Sequence, residues 1–231
     1  MNSTANQVQV PIGYNVILEG NLTIPENARG VVLFAHGSGS SRFSPRNQYV
    51  AGVLQQAGFA TLLIDLLTQR EEVEDMHTAH LRFDIPLLSK RVVGATNWLT
   101  TNASTASLKV GYFGASTGAA AALVAAAELP LIVGAVVSRG GRPDLAGSCL
   151  TSILTPTLLI VGGNDPQVIE LNRMAYSLLR GPKALEIVPG ATHLFEEPGA
   201  LEKVAQLASD WFARYLTGPG QTQAGEVKTG Q

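Results

Sequence analysis

Apolar residues along this chain gather in short unbroken runs, separated by longer stretches in which they recur three and four positions apart. The runs at 31–35, 59–64, 108–113, 131–137, 157–161 and 184–188 are rich in Val, Ile, Leu and Phe with little alternation, which predicts strands covered on both faces. The stretches at 45–57, 83–99, 117–129, 167–179 and 198–216 predict helices. Strands alternating with helices imply an α/β fold, a central and mostly parallel sheet with helices on both faces. Residues 7–24 are interrupted by Pro11-Ile12-Gly13-Tyr14-Asn15 and read as an antiparallel hairpin at the sheet edge.

Three stretches need separate treatment. Residues 118–137 are about 20 long and strongly apolar, which is membrane-span length, but Glu128 and Pro130 break them. A buried helix ending near residue 129 followed by a strand satisfies the same hydropathy. Between the strands ending at 137 and starting at 157 only about 20 residues intervene, too few for an inserted cap domain, so the expected site is open. Residues 65–82, with Glu71, Glu72, Glu74 and Asp75, read as a solvated turn leading into a helix, the alternative being a loop beside the site.

Composition narrows the picture further. A chain of 231 residues with 45% hydrophobic content can bury one sizeable core, so residues 1–216 are expected to form a single domain and 217–231, rich in Gly, Gln and Thr, a disordered tail. A net charge of -2 with no basic run recruits neither nucleic acid nor an acidic membrane surface. One cysteine cannot close an internal disulfide, and Met1-Asn2-Ser3-Thr4 lacks a signal-peptide pattern; both point to the cytoplasm. His77 and His80 lie near Glu74 and Asp75 without a second cluster at metal-site spacing, so no metal is expected. Gly37-x-Gly39 is followed by Arg42 where a dinucleotide fingerprint needs its third glycine, so no such cofactor is expected either.

The chemistry gathers at strand ends. Gly114-Ala115-Ser116-Thr117-Gly118 joins a predicted strand to a small-residue helix, the setting in which a serine is held in a sharp turn with its hydroxyl exposed. Asp165 follows the run 157–161 and the turn Gly162-Gly163-Asn164, and His193 follows the run 184–188. The order Ser, Asp, His, each beyond the carboxyl end of a strand, is that of the α/β-hydrolases. Singly, each has a plainer explanation: a tight turn, a helix N-cap before Pro166, a surface histidine. Val31 to Ala35 runs into His36-Gly37-Ser38-Gly39, where such folds place an oxyanion-hole amide. His36 itself reads as a structural hydrogen-bonding residue of that loop.

On these motifs the chain resembles the cap-less, dienelactone-hydrolase-like group of α/β-hydrolases over about residues 8–216. It departs from dienelactone hydrolases proper, which use a cysteine nucleophile: here the elbow holds Ser116, and Cys149 lies elsewhere. The resemblance therefore implies a general hydrolase of small esters, lactones or thioesters. Ser116 would be the nucleophile, His193 its base, Asp165 the residue that orients the base, and the amides of Thr117 and of Ser38 or a neighbour in the glycine-rich loop the oxyanion donors. Arg139 and Arg142, in the stretch 138–142 after a strand, are candidate grips for an acidic substrate group. The expected partner is a small ester-type molecule, with the chain a monomer or homodimer. Two alternatives stay open: a receptor-like binding module with little turnover, and an acyltransferase or perhydrolase.

Overall fold

The computed structural model describes residues 6–13 and 15–217. The tail expected over 217–231 falls, apart from Thr217, outside the described residues. Eight strands form one sheet in the order β1-β2-β4-β3-β5-β6-β7-β8. β1 (Asn6–Ile12) and β2 (Val16–Thr23) pair antiparallel, and β2 joins β4 (Ala60–Ile64) antiparallel. From β4 onward β3 (Val31–Ala35), β5 (Val110–Ala115), β6 (Val133–Arg139), β7 (Thr157–Gly162) and β8 (Lys183–Val188) run parallel. Strands β3, β4, β5 and β7 are buried at every position, as expected of parallel strands covered on both faces.

Two apolar layers cover the sheet. On one face α3 (Ile85–Thr101), α4 (Thr117–Glu128) and α5 (Pro166–Leu178) pack through Leu88, Val92, Leu99, Leu123 and Ala175 onto Leu33, Leu62, Tyr112 and Leu159. On the other, α1 (Pro45–Gln56) and α6 (Ala200–Leu216) bring Val50, Leu54, Val204 and Phe212 against Val32, Phe34, Phe113 and Ile160. Strand order reverses between β3 and β5, because β3 passes to β4 on one side while the chain continues outward from β5 on the other. That switch point opens a crevice at the carboxyl ends of β3 and β5, where open α/β sheets bind ligands.

The segment between β6 and β7 forms short 3-10 turns over residues 143–152, lying against α4 and α5. Residues 65–82 depart from a solvated turn: they form α2 (Gln69–Thr78), started by a capping box in which Thr68 accepts from the Glu71 amide and Glu71 accepts from the Thr68 amide. Among the described residues no helix is long and apolar enough to cross a membrane, and 118–137 divides into α4 and β6.

Candidate active site

Ser116 stands between the end of β5 and the start of α4 with φ +50° and ψ −122°. A non-glycine residue there carries strain of about 1–3 kcal/mol. Hydrogen bonds hold it in place: its amide donates to the Arg139 carbonyl at 3.3 Å, and its own carbonyl accepts from Arg142 at 3.1 Å and Ala119 at 3.1 Å. A serine at a helix N-cap ordinarily bonds back to the first turn. Ser116 makes no such bond, which leaves its hydroxyl free for other chemistry. The glycines beside it answer to close approach: a Cβ on Gly118 would fall 2.2 Å from the Ala35 carbonyl oxygen, and one on Gly37 would fall 2.9 Å from Ser116 Cβ.

Asp165 repeats the pattern. It occupies the N-cap of α5 ahead of Pro166, yet its carboxylate makes no cap bond and instead accepts from His193 Nδ1 at 2.8 Å. The two loops are stitched together beneath that contact. Gly163 donates to the Val188 carbonyl at 2.8 Å, Asn164 to Ala191 at 2.9 Å, and the Asn164 side chain to Gly190 at 2.9 Å. Phe195, buried with φ +57°, anchors the far side of the histidine loop. A Cβ on Gly140 would lie 3.5 Å from His193 Cε1, and Gly140 follows Arg139, the residue whose carbonyl takes the Ser116 amide. The imidazole is therefore a neighbour of the serine turn. With Nδ1–H committed to Asp165, Nε2 carries the lone pair that can accept a proton.

The loop after β3 completes the crevice. His36 accepts from the Leu66 amide at Nε2 (3.0 Å), so Nδ1 carries the proton donated to the Gly37 carbonyl at 2.9 Å. Burial lowers its pKa, which favours this neutral, bridging form. The Thr117 amide, first in α4, lacks an intrahelical acceptor by position. The Ser38 amide, expected to stand free, donates instead to the Thr117 hydroxyl at 3.0 Å.

Residues 18–217 match the sequence profile of the dienelactone hydrolase family. The chain belongs to that family. It is 61% identical over 214 residues to two curated Mycobacterium tuberculosis proteins, from strains CDC 1551 / Oshkosh and ATCC 25618 / H37Rv, each called a putative phosphoribosyl transferase. The match takes in 93% of this chain and 47% of theirs, so the chain spans about half the length of these curated relatives. The crystal structure of a dienelactone hydrolase from Anabaena variabilis ATCC 29413 superposes with a TM-score of 0.91 at 66% identity, covering 93% of this chain and 99% of that one. Est1E from Butyrivibrio proteoclasticus, at 14% identity with a TM-score of 0.75 over 91% of this chain and 98% of its own, shares the fold.

In this member of the dienelactone hydrolase family the two candidate arginines have different surroundings. Arg142 donates Nε–H and Nη2–H to Asp144 at 2.9 and 2.8 Å, so its guanidinium is already paired. Arg139 is 7% exposed and, among the described residues, has no carboxylate partner; Nη2 reaches Asn47 Oδ1 at 3.4 Å and Nε has no acceptor. Burial, with Arg46 nearby, brings its pKa down to about 10. Arg46 itself pairs with Glu196 on the histidine loop at 2.9 Å.

A cavity of about 750 Å³ runs from Gly37, Ser38 and Thr117 toward α2. Phe43, Val73 and Met76 line it and are more than half exposed, beside Leu66, Leu67 and the charged Arg46, Glu72 and Arg82. Ion pairs fix this wall: Arg42 to Asp65, Glu71 to Arg91 at 2.5 Å, and Asp75 to Arg82 at 2.5 Å. The sequence pointed to Glu71, Glu72 and Asp75, with a loop beside the site as the alternative to a solvated turn, but not to Phe43, Val73 or Met76. The signal was present in Thr68-x-x-Glu71, a helix-start pattern, with Val73 and Met76 three apart behind it. Among the described residues no group of three or more His, Cys, Asp and Glu side chains is arranged to hold a metal.

Proposed function

We propose that this chain is a serine hydrolase that cleaves small carboxylic esters, lactones or thioesters through an acyl-enzyme on Ser116. The observation that carries the reading is that two residues at helix N-caps, Ser116 and Asp165, both forgo capping, and the Asp165 carboxylate bonds to His193 at 2.8 Å. His193 takes the Ser116 proton as the oxygen attacks the carbonyl carbon, and the Asp165 carboxylate stabilises the imidazolium that forms. The carbonyl oxygen becomes an oxyanion facing the Thr117 amide at the positive end of α4. His193 then gives its proton to the leaving alcohol or thiol. Water, deprotonated by the same imidazole, attacks the acyl carbon and releases the acid.

Family membership supports the hydrolase class, and the α2 cavity supplies a place for the acyl or alcohol part. Of the two arginines, Arg139 is the one we assign to an acidic substituent, because a buried guanidinium without a carboxylate gains from an anion, whereas Arg142 already has Asp144. A fluorophosphonate tests the core of the reading. Intact and peptide mass spectrometry should find one adduct, on Ser116, with matching loss of p-nitrophenyl acetate hydrolysis. An adduct confined to other serines, or a folded Ser116→Ala variant with wild-type turnover, would remove Ser116 from the mechanism.

A further inference from the structure

The hydrogen bond between Ser38 and Thr117 changes which groups are available to a developing oxyanion. A 3.0 Å bond commits the Ser38 N–H to Thr117 Oγ1. The threonine hydroxyl accepts that bond and keeps a proton of its own. Thr117 is 3% exposed, lines the cavity with Ser38, and its hydroxyl proton has no acceptor among the described residues. A buried donor without a partner is costly, so the position calls for an acceptor supplied from outside the chain. Thr117 directly follows the strained Ser116, taking the position whose amide serves as an oxyanion donor in such elbows, and it also lines the cavity beside Ser38.

We infer that the Thr117 hydroxyl is itself an oxyanion donor, working beside the Thr117 amide, with the Ser38 amide supporting it from behind. The chain of bonds is Ser38 N–H to Thr117 Oγ, and Thr117 Oγ–H to the substrate oxygen. No proton is transferred along it. The bond to the substrate strengthens as the carbonyl oxygen gains negative charge, and the Ser38 bond polarises the hydroxyl in the direction that helps. One side chain thus fills the place that the glycine-rich loop was expected to fill with backbone. This inference rests on acyl transfer at Ser116.

The test compares Thr117→Val, which keeps shape and removes the hydroxyl, with Thr117→Ser, which keeps the hydroxyl and removes the methyl; Thr117→Ala replaces the valine variant if that does not fold. For each, kcat and KM on a p-nitrophenyl ester are measured with the inhibition constants of a trifluoromethyl ketone, which forms a tetrahedral oxyanion, and of the product acid, which does not. Loss of one oxyanion donor typically lowers kcat by about 10²–10³. The expected result is that fall in Thr117→Val, a parallel loss of ketone affinity, little change in KM or acid binding, and near-wild-type behaviour in Thr117→Ser. Unchanged or faster turnover in Thr117→Val would mean that the hydroxyl merely occupies the Ser38 amide, and would overturn the inference. So would slower turnover with ketone affinity intact, which marks a loop-positioning role, or a serine variant as slow as the valine one. Fluorophosphonate labelling of the wild type in the same series separates failure of this inference from failure of the nucleophile assignment.

Discussion

Replacing Ser116 by glycine should stabilise the fold while abolishing activity. At φ +50° and ψ −122° the side chain costs about 1–3 kcal/mol. Glycine removes that cost but gives the unfolded chain extra freedom worth about 0.5–1 kcal/mol, leaving a net gain of up to about 2.5 kcal/mol. Glycine is also tolerated at a helix N-cap, and the wild-type hydroxyl makes no cap bond whose loss would count against it. For a domain of this size each kcal/mol moves the midpoint by roughly 2–4 °C, so Tm should rise by up to roughly 10 °C. The control is Ser116→Ala, which loses the hydroxyl equally but keeps Cβ and its strain. Urea and thermal unfolding of the two inactive variants therefore isolate the backbone contribution. A glycine variant less stable than the alanine variant by about 0.5–1 kcal/mol, the entropy difference alone, would show that the elbow is unstrained, and the argument from its dihedral angles would fall.

Asp165→Asn should remain folded and slow kcat/KM by about 10⁴, since an amide can donate to Nδ1 and favour the wrong tautomer; a silent variant would mean that another carboxylate orients the imidazole. In a p-nitrophenyl ester series kcat/KM should rise about fourfold per methylene, from about 0.8 kcal/mol each, while the acyl chain follows Phe43, Val73 and Met76, and then level off. A Val73→Ser, Met76→Ser double variant should flatten the rise, and an identical slope would place the acyl chain elsewhere. Arg139→Met should lower the ratio of turnover of esters bearing a distal carboxylate to that of neutral isosteres, and an unchanged ratio would take Arg139 out of substrate recognition. Burial, reinforced by Asp65, raises the Glu72 pKa, so its contribution to holding α2 is present below the ordinary carboxylate range and is lost as pH rises through the raised value. Glu72→Gln should therefore slow hydrogen exchange over residues 69–78 at pH 7, with the difference from wild type closing under acid; equal exchange at both would refute the sign.

What could be read from the chain differs sharply between its two halves of the crevice. The positions that follow strands were legible because a parallel sheet delivers every strand end to one edge, which places Ser116, Asp165 and His193 at that edge and brings Asp165 onto His193. The placement of Arg139, not its candidate role, shifted through a strand boundary. The expected strand stopped at 137, but β6 continues to Arg139, and period-two alternation then sends Ser138 toward α4 and Arg139 toward Asn47 of α1. A residue assigned to an open loop thereby became a buried cation. The pairing of Arg142 with Asp144, two residues on, was within reach of the sequence and would have separated the two arginines at once.

The wall of the cavity poses a different problem. Thr68-x-x-Glu71 announces that a helix begins, but nothing periodic in ten residues, half of them charged, says where it lies. Its seat is set by Glu71 reaching Arg91, 20 residues away, and by Arg42 reaching Asp65, 23 residues away. Ion pairs of that separation leave no mark in a hydrophobic pattern, because both partners read as ordinary surface charge. The expectation of an open, uncapped crevice followed from the short segment between β6 and β7, and that segment does form only 3-10 turns. A wall of the neighbouring cavity came instead from α2, between β4 and α3. Under the proposed function, selection of the acyl part falls to a charge-stitched helix, which can change its apolar face at Val73 and Met76 without disturbing the strand ends that carry Ser116, Asp165 and His193.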